Sequence, residues 1–85
     1  LVTHQPPYGT LADVVGGLRH VGSTSIRSCI EKYMPAVCFC GHIHEAQSVD
    51  RLNGTAVINP GPLRHGGYAY VEIHGTAVTA EIRRI

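Results

Sequence analysis

The stretch Ala36-Val37-Cys38-Phe39-Cys40-Gly41-His42-Ile43-His44-Glu45 decides the fold. Its first five residues are continuously apolar, the pattern of a strand buried on both faces of a sheet. Gly41 ends the run, and two histidines follow at once. In open α/β sheets, ligands bind just beyond the carboxyl ends of the strands. The ten residues therefore read as strand, turn and candidate site. Upstream, Pro35 stops a helix predicted to start at Ser23 or Thr24, either of which can accept a hydrogen bond from a free backbone N–H. Ile26, Ile30, Tyr33 and Met34 share one face of that helix. Downstream, residues 47–52 and 55–59 flank Asn53-Gly54, a two-residue hairpin signal. Pro60-Gly61-Pro62 breaks the pattern, and residues 67–74 and 76–85 form a second hairpin around His74-Gly75. There Tyr68, Tyr70, Glu72 and His74 alternate with Ala69, Val71 and Ile73, so one face is polar. Residues 1–4 read as the end of another buried strand, broken by Pro6 and Pro7. Residues 10–22 read as a glycine-rich loop with one helical turn near Leu11. The fold class is α/β.

With 85 residues the chain has room for one small domain. Apolar residues at 44% and charged residues at 15% exclude a disordered chain. A net charge of +1 supplies no basic field for nucleic acid. No apolar run reaches the roughly 18 residues that span a bilayer. Three cysteines, Cys29, Cys38 and Cys40, with no secretory leader, argue against a disulfide framework. They fit a reducing, cytoplasmic compartment. The chain opens at Leu1 inside a strand pattern, which reads as a domain continued upstream.

Six histidines are unusual in a chain of this length, and three stand at strand ends: His4, His42 and His44. In an extended segment, side chains at i and i+2 point to the same side. Gly41 lets the backbone come close to an ion, and imidazole suits zinc, iron and nickel. Taken alone, His-x-His is a weak signal. His20, His65 and His74 read as surface or loop histidines. Cys38 and Cys40 read as small buried hydrophobes on the strand and Cys29 as helix packing. The alternative is a stand-alone zinc-binding module using both cysteines with His42 and His44. It needs four ligands within seven residues, whereas structural zinc sites usually draw pairs from separated segments.

Three motifs occur in order: Thr3-His4-Gln5-Pro6-Pro7, Cys40-Gly41-His42-Ile43-His44-Glu45, and Ile58-Asn59-Pro60-Gly61-Pro62. Together they resemble the C-terminal portion of calcineurin-like metallophosphoesterases, with T-H-x-P-P, G-H-x-H and N-P-G. His20-Val21-Gly22-Ser23 resembles the small bacterial and archaeal members in particular. The resemblance implies that residues 1–85 are the C-terminal half of a two-sheet β-sandwich flanked by helices, the four-layer type. It implies that His4 and His42 bind a second metal and His44 a first, and that the loop with Asn59 and Gly61 supports the edge of the pocket. Gly41 precedes the ligands, and Glu45, just after them, is expected to orient an imidazole. The resemblance implies two divalent ions, with Mn, Fe, Zn and Ni all compatible, and hydrolysis of phosphate monoesters or diesters by a metal-activated hydroxide. Arg64 and His65, just past the Asn-Pro-Gly loop, are candidates to meet a substrate phosphate, since Arg binds phosphate bidentately.

The family's D-x-H, G-D-x-x-D and G-N-H-[DE] motifs do not occur here. Asp13 and Asp50 are the only aspartates, and neither Asn53 nor Asn59 precedes a histidine. No catalytic residue is assigned in the chain on that count. Two divalent ions about 3.7 Å apart repel by about 18 kcal/mol at an effective dielectric near 20. Neutral imidazoles offset none of that, so carboxylates must come from elsewhere, and the chain alone is expected to be inactive. The expected partners are a phosphoester small molecule or nucleotide-like substrate, and a second copy of the chain where apolar surface is left open; no membrane is expected. A non-catalytic interaction scaffold of the same fold is the competing function.

Overall fold

The computed structural model describes residues 1–85. Its parallel centre is the pairing of β3 (Val37–Phe39) with β5 (Thr55–Asn59), in which Val37 lies against Ala56 and Phe39 against Ile58. β4 (Ser48–Leu52) runs antiparallel on the other side of β5, giving the order β3-β5-β4. The central strand is covered on both faces: all five residues of β5 are buried. Asn53 takes φ 55° at the β4–β5 turn, the left-handed region that an Asn-Gly pair tolerates. Residues 1–3 extend the sheet beyond β3. The Thr3 N–H donates to the Phe39 carbonyl and the Phe39 N–H to the Leu1 carbonyl, each at 2.8 Å. The expected strand at residues 1–4 thus forms as a short parallel bridge, Val2 against Phe39.

The single α-helix, α1 (Thr24–Tyr33), starts as its sequence predicts, with the Ser23 side chain accepting from the Ile26 N–H at 3.1 Å. Half of its expected apolar stripe is covered. Ile30 is buried and Ile26 packs on the core, but Tyr33 and Met34 are 69% and 65% exposed. The helix ends as Met34 turns to φ 47°, its N–H still donating to the Ile30 carbonyl. The core consists of Ala12, Ile30, Cys38, Cys40, Leu52 and Val57. Both strand cysteines therefore point inward, as the apolar reading requires.

Two regions depart from the sequence reading. The expected loop at 10–22 contains a 3₁₀ turn (Leu11–Asp13) and a small antiparallel ribbon, β1 (Val14–Val15) with β2 (Arg19–His20). Gly16 and Gly17, which by residue type alone only break a pattern, make the ribbon's turn, with φ 63° and 82°. The second hairpin, β6 (Gly67–His74) with β7 (Ala77–Arg84), forms where expected and keeps Ala69 and Val71 inward, but its turn falls on Gly75-Thr76, one residue later than expected, with His74 paired to Ala77. It covers part of the surface expected to lie open: Val37 is buried and Phe39 half-buried, whereas Leu1 and Val2 remain exposed. The result is a mixed α/β architecture with several sheets and few helices. No helix is long and apolar enough to cross a membrane.

Candidate metal centre

Backbone hydrogen bonds converge on the carboxyl end of β3. The Cys40 N–H donates to the Ile58 carbonyl at 2.9 Å, and the Gly41 N–H donates to the His4 carbonyl at 3.2 Å. The loop carrying His42 is thereby stitched to the loop carrying His4. His4 Nε2 lies 3.0 Å from His42 Nδ1, and the ring centroids are 4.6 Å apart, tilted at 51°. Residues 38 positions apart in sequence thus share one hydrogen bond at an exposed rim. For that bond to form, one ring must accept through a lone pair, so at least one imidazole is neutral there. A neutral imidazole nitrogen is also the form that binds a metal ion.

His42 sits at φ 67°. The Ile43 N–H donates to the Gly41 carbonyl at 2.7 Å, closing a three-residue turn around it. Positive φ in a γ-turn is rare and strained for a residue with a Cβ, and such strain clusters at functional sites. This overturns the expectation of an extended segment. Because the backbone turns at His42, the i, i+2 rule does not apply: His42 meets His4, while His44 opens a 3₁₀ turn (His44–Ala46) with Nδ1 3.5 Å from Arg64 Nη2. No three His, Cys, Asp or Glu side chains converge closely enough to hold an ion. The Cys38 thiol lies 3.8 Å from Thr3 Oγ1 and the Cys40 thiol donates to the Ile58 carbonyl, so the geometry gives the stand-alone zinc module no thiol ligands.

The supporting residues divide. Asn59 is fully buried, and its Nδ2 donates to the Ile43 carbonyl at 2.9 Å, between the two histidines of the motif. Its Oδ1 accepts from the Gly61 N–H at 3.1 Å, with Gly61 at φ 75°. Asn59 thus clamps the His42–His44 loop from below. Glu45 was expected to orient an imidazole. Its carboxylate instead accepts from the Gly16 N–H at 3.2 Å, because the unforeseen ribbon brings that N–H within reach. Arg64 stands beside His44, whereas His65 is tied back through its carbonyl, which accepts from Arg84 Nη2 at 2.8 Å.

Asp13 is a buried carboxylate that sequence reasoning missed. It is fully buried and accepts from the N–H groups of Gly9 (3.0 Å), Thr10 (3.2 Å) and Gly22 (3.0 Å), and lies 2.5 Å from His20 Nδ1. Burial pushes its carboxyl pKa up, but the His20 ring and the backbone donors outweigh burial and hold it below the usual value. The sequence signal that could have found it is Thr10-x-x-Asp13, in which an acidic side chain reaches back to the N–H at the start of a helical turn.

A family described as "Metallophosphoesterase, calcineurin superfamily" matches residues 1–82. An uncharacterized protein of Methanocaldococcus jannaschii, MJ1162, is 48% identical over 66 residues, covering 73% of this chain and 30% of that protein. A solved crystal structure superposes with a TM-score of 0.75 at 26% identity, over 94% of this chain and 31% of the other. The crystal structure of TT1561 of Thermus thermophilus superposes at 0.62 and 20% identity, a likeness of fold, over 94% of this chain and 32% of that one. The chain spans about a third of the length of the relatives it matches.

Proposed function

The chain belongs to the calcineurin superfamily of metallophosphoesterases, and from that premise we propose that it supplies His4, His42 and His44 to a two-metal centre that hydrolyses phosphate monoesters or diesters. The observation that carries the proposal is the 3.0 Å meeting of His4 and His42 across two loops, with His42 held at a strained φ of 67°. Divalent ions at such a centre supply a water of lowered pKa and positive charge for the phosphoryl oxygens. The chemistry of the donors fits: neutral imidazoles at an exposed rim accept Mn, Fe, Zn or Ni.

The chain's own residues then have distinct tasks. His4 and His42 give up their mutual hydrogen bond to present ring nitrogens to an ion. Asn59 keeps the Ile43 carbonyl fixed, which sets where His42 and His44 start from the backbone. On this reading Arg64, which lies beside His44, pairs with a phosphoryl oxygen of a phosphoester or nucleotide-like substrate. Carboxylate ligands to balance the ions come, on this reading, from polypeptide outside these 85 residues.

Metal analysis and turnover test it together. The 85-residue chain is expected to retain at most one divalent ion and to leave a chromogenic phosphodiester intact. A polypeptide that also carries the carboxylate motifs is expected to hydrolyse the diester with manganese and to lose that activity on His42→Ala. Two tightly bound ions on the 85-residue chain, or hydrolysis indifferent to His4→Ala, His42→Ala and His44→Ala, would refute the proposal.

A further inference from the structure

The Asp13–His20 pair has no part in the metal reading, yet it is bonded beyond what its loop needs. Three backbone N–H groups already satisfy Asp13 and tie together the loop from Gly9 to Gly22, so closing the loop does not require the fourth bond, to His20 Nδ1. A buried carboxylate held on one imidazole nitrogen orients the ring and fixes where the other nitrogen points. Here Nδ1 faces Asp13, while Nε2 makes no hydrogen bond and the side chain is 38% exposed. The Tyr8 ring flanks the imidazole, with centroids 5.7 Å apart.

The ribbon bearing His20 is bonded at both ends to the segments that carry the candidate ligands. At one end, the Ser23 N–H donates to the Pro6 carbonyl at 2.8 Å and the Ser23 carbonyl accepts from the Tyr8 N–H at 3.0 Å, so residues 20–23 run beside the loop that leads from His4. At the other end, Gly16 donates to Glu45, the residue after His44. Resting on the proposed phosphoesterase reading, we infer that His20 is a substrate-binding residue, held by Asp13 so that Nε2–H donates to an oxygen of the substrate's phosphate. The imidazolium ring has a donor on each nitrogen, so Nδ1–H is held by Asp13 while Nε2–H is offered to the phosphate.

The probe is inorganic phosphate, added to zinc-loaded protein and followed by side-chain NMR of ¹⁵N-labelled histidines. The His20 Nε2 resonance is expected to move with phosphate, while that of His74, exposed on the distant hairpin, stays put. His20→Ala is expected to weaken phosphate binding about tenfold, the scale of one hydrogen bond to a charged group, with zinc stoichiometry unchanged; Asp13 loses a partner and Tm falls, so binding is compared well below the variant's Tm. His20→Gln, whose amide can place a donor near the Nε2 position, is expected to recover part of the loss. If phosphate binds while His20 Nε2 does not move, or if His20→Ala binds phosphate as tightly as the parent, the pair is a structural brace and the inference is overturned. Should zinc leave the ring nitrogens of His4, His42 and His44 unmoved, the metal reading fails separately. The response of His20 to phosphate in zinc-free protein then still decides this inference.

Discussion

A single backbone angle separates what His42 costs from what it supplies. At φ 67° its Cβ crowds the following carbonyl, a strain of about 1–2 kcal/mol for any L-residue that is not Gly. His42→Gly removes both the ring and the strain, whereas His42→Ala removes the ring and keeps the strain. The glycine variant should therefore be about 1 kcal/mol more stable than the alanine variant by denaturant melting, although neither presents an imidazole. Equal stability of the two would show that the turn relaxes and that φ there is unstrained. Asn59 makes the complementary case. Asn59→Ala leaves the Gly61 N–H without a partner and the Ile43 carbonyl with only its bond from the Ala46 N–H, in a half-buried setting, which should cost about 1 kcal/mol or somewhat more. It should also weaken metal binding in the complete centre, and a variant that melts early yet binds metal normally would show that the clamp serves stability alone.

Between the elements, the small ribbon and its anchor matter more than their size suggests, and they were the least legible part of the sequence. Strands of two residues carry no period that a sequence can display, and Gly16-Gly17 reads equally as a break or a turn. Asp13 resembles a solvent-exposed loop carboxylate in sequence because its partners are mostly backbone N–H groups, which have no signature in side-chain chemistry. By contrast, β3, the Asn53-Gly54 hairpin and the Ser23 cap were readable because each depends on local residue types. The motif histidines were found by pattern, but their orientation was not, since the turn at His42 is set by bonds to Ile58, His4 and Asn59 that are distant in sequence. The anchor leaves a pH signature. The carboxyl of Asp13 titrates below its usual 3.8 when folded, so the unfolded chain binds the proton more readily. The stability from Asp13 is complete above that value and is lost as pH falls through it toward the lower folded value. Tm measured from about pH 6 down to about pH 3 should fall more steeply for the parent than for Asp13→Asn, which has no carboxylate to protonate. Parallel profiles would mean that Asp13 gains nothing from being ionised.

At the scale of the whole molecule, compactness and burial pull apart. The radius of gyration is 12.0 Å, matching the value of about 12 Å for a folded chain of this length. Yet only 17 of 85 residues are buried, and Leu1, Val2, Tyr33 and Met34 are among the large apolar side chains left exposed. Where the hairpin β6–β7 leans over β3, a cleft of about 450 Å³ is lined only by Leu1, Ala36, Val37, Phe39, Val71 and Ile73. The walls are mainly apolar, so displacing water from the cleft is favourable in proportion to the apolar area covered. The folded chain should bind an apolar reporter dye such as anilinonaphthalene sulfonate without being partly unfolded. Ile73→Glu puts a negative charge on that wall at a position already 56% exposed, which hydrates the wall and repels the dye's sulfonate, so it should lower dye fluorescence while leaving the far-UV spectrum and Tm nearly unchanged. The outcome that separates this cleft from a loosely packed core is the near-UV spectrum. A fixed near-UV signal from the tyrosines with strong dye binding means an ordered surface cleft. Loss of that signal together with dye binding means that the six-residue core does not hold side chains in place, and the cleft is then not the source of the fluorescence.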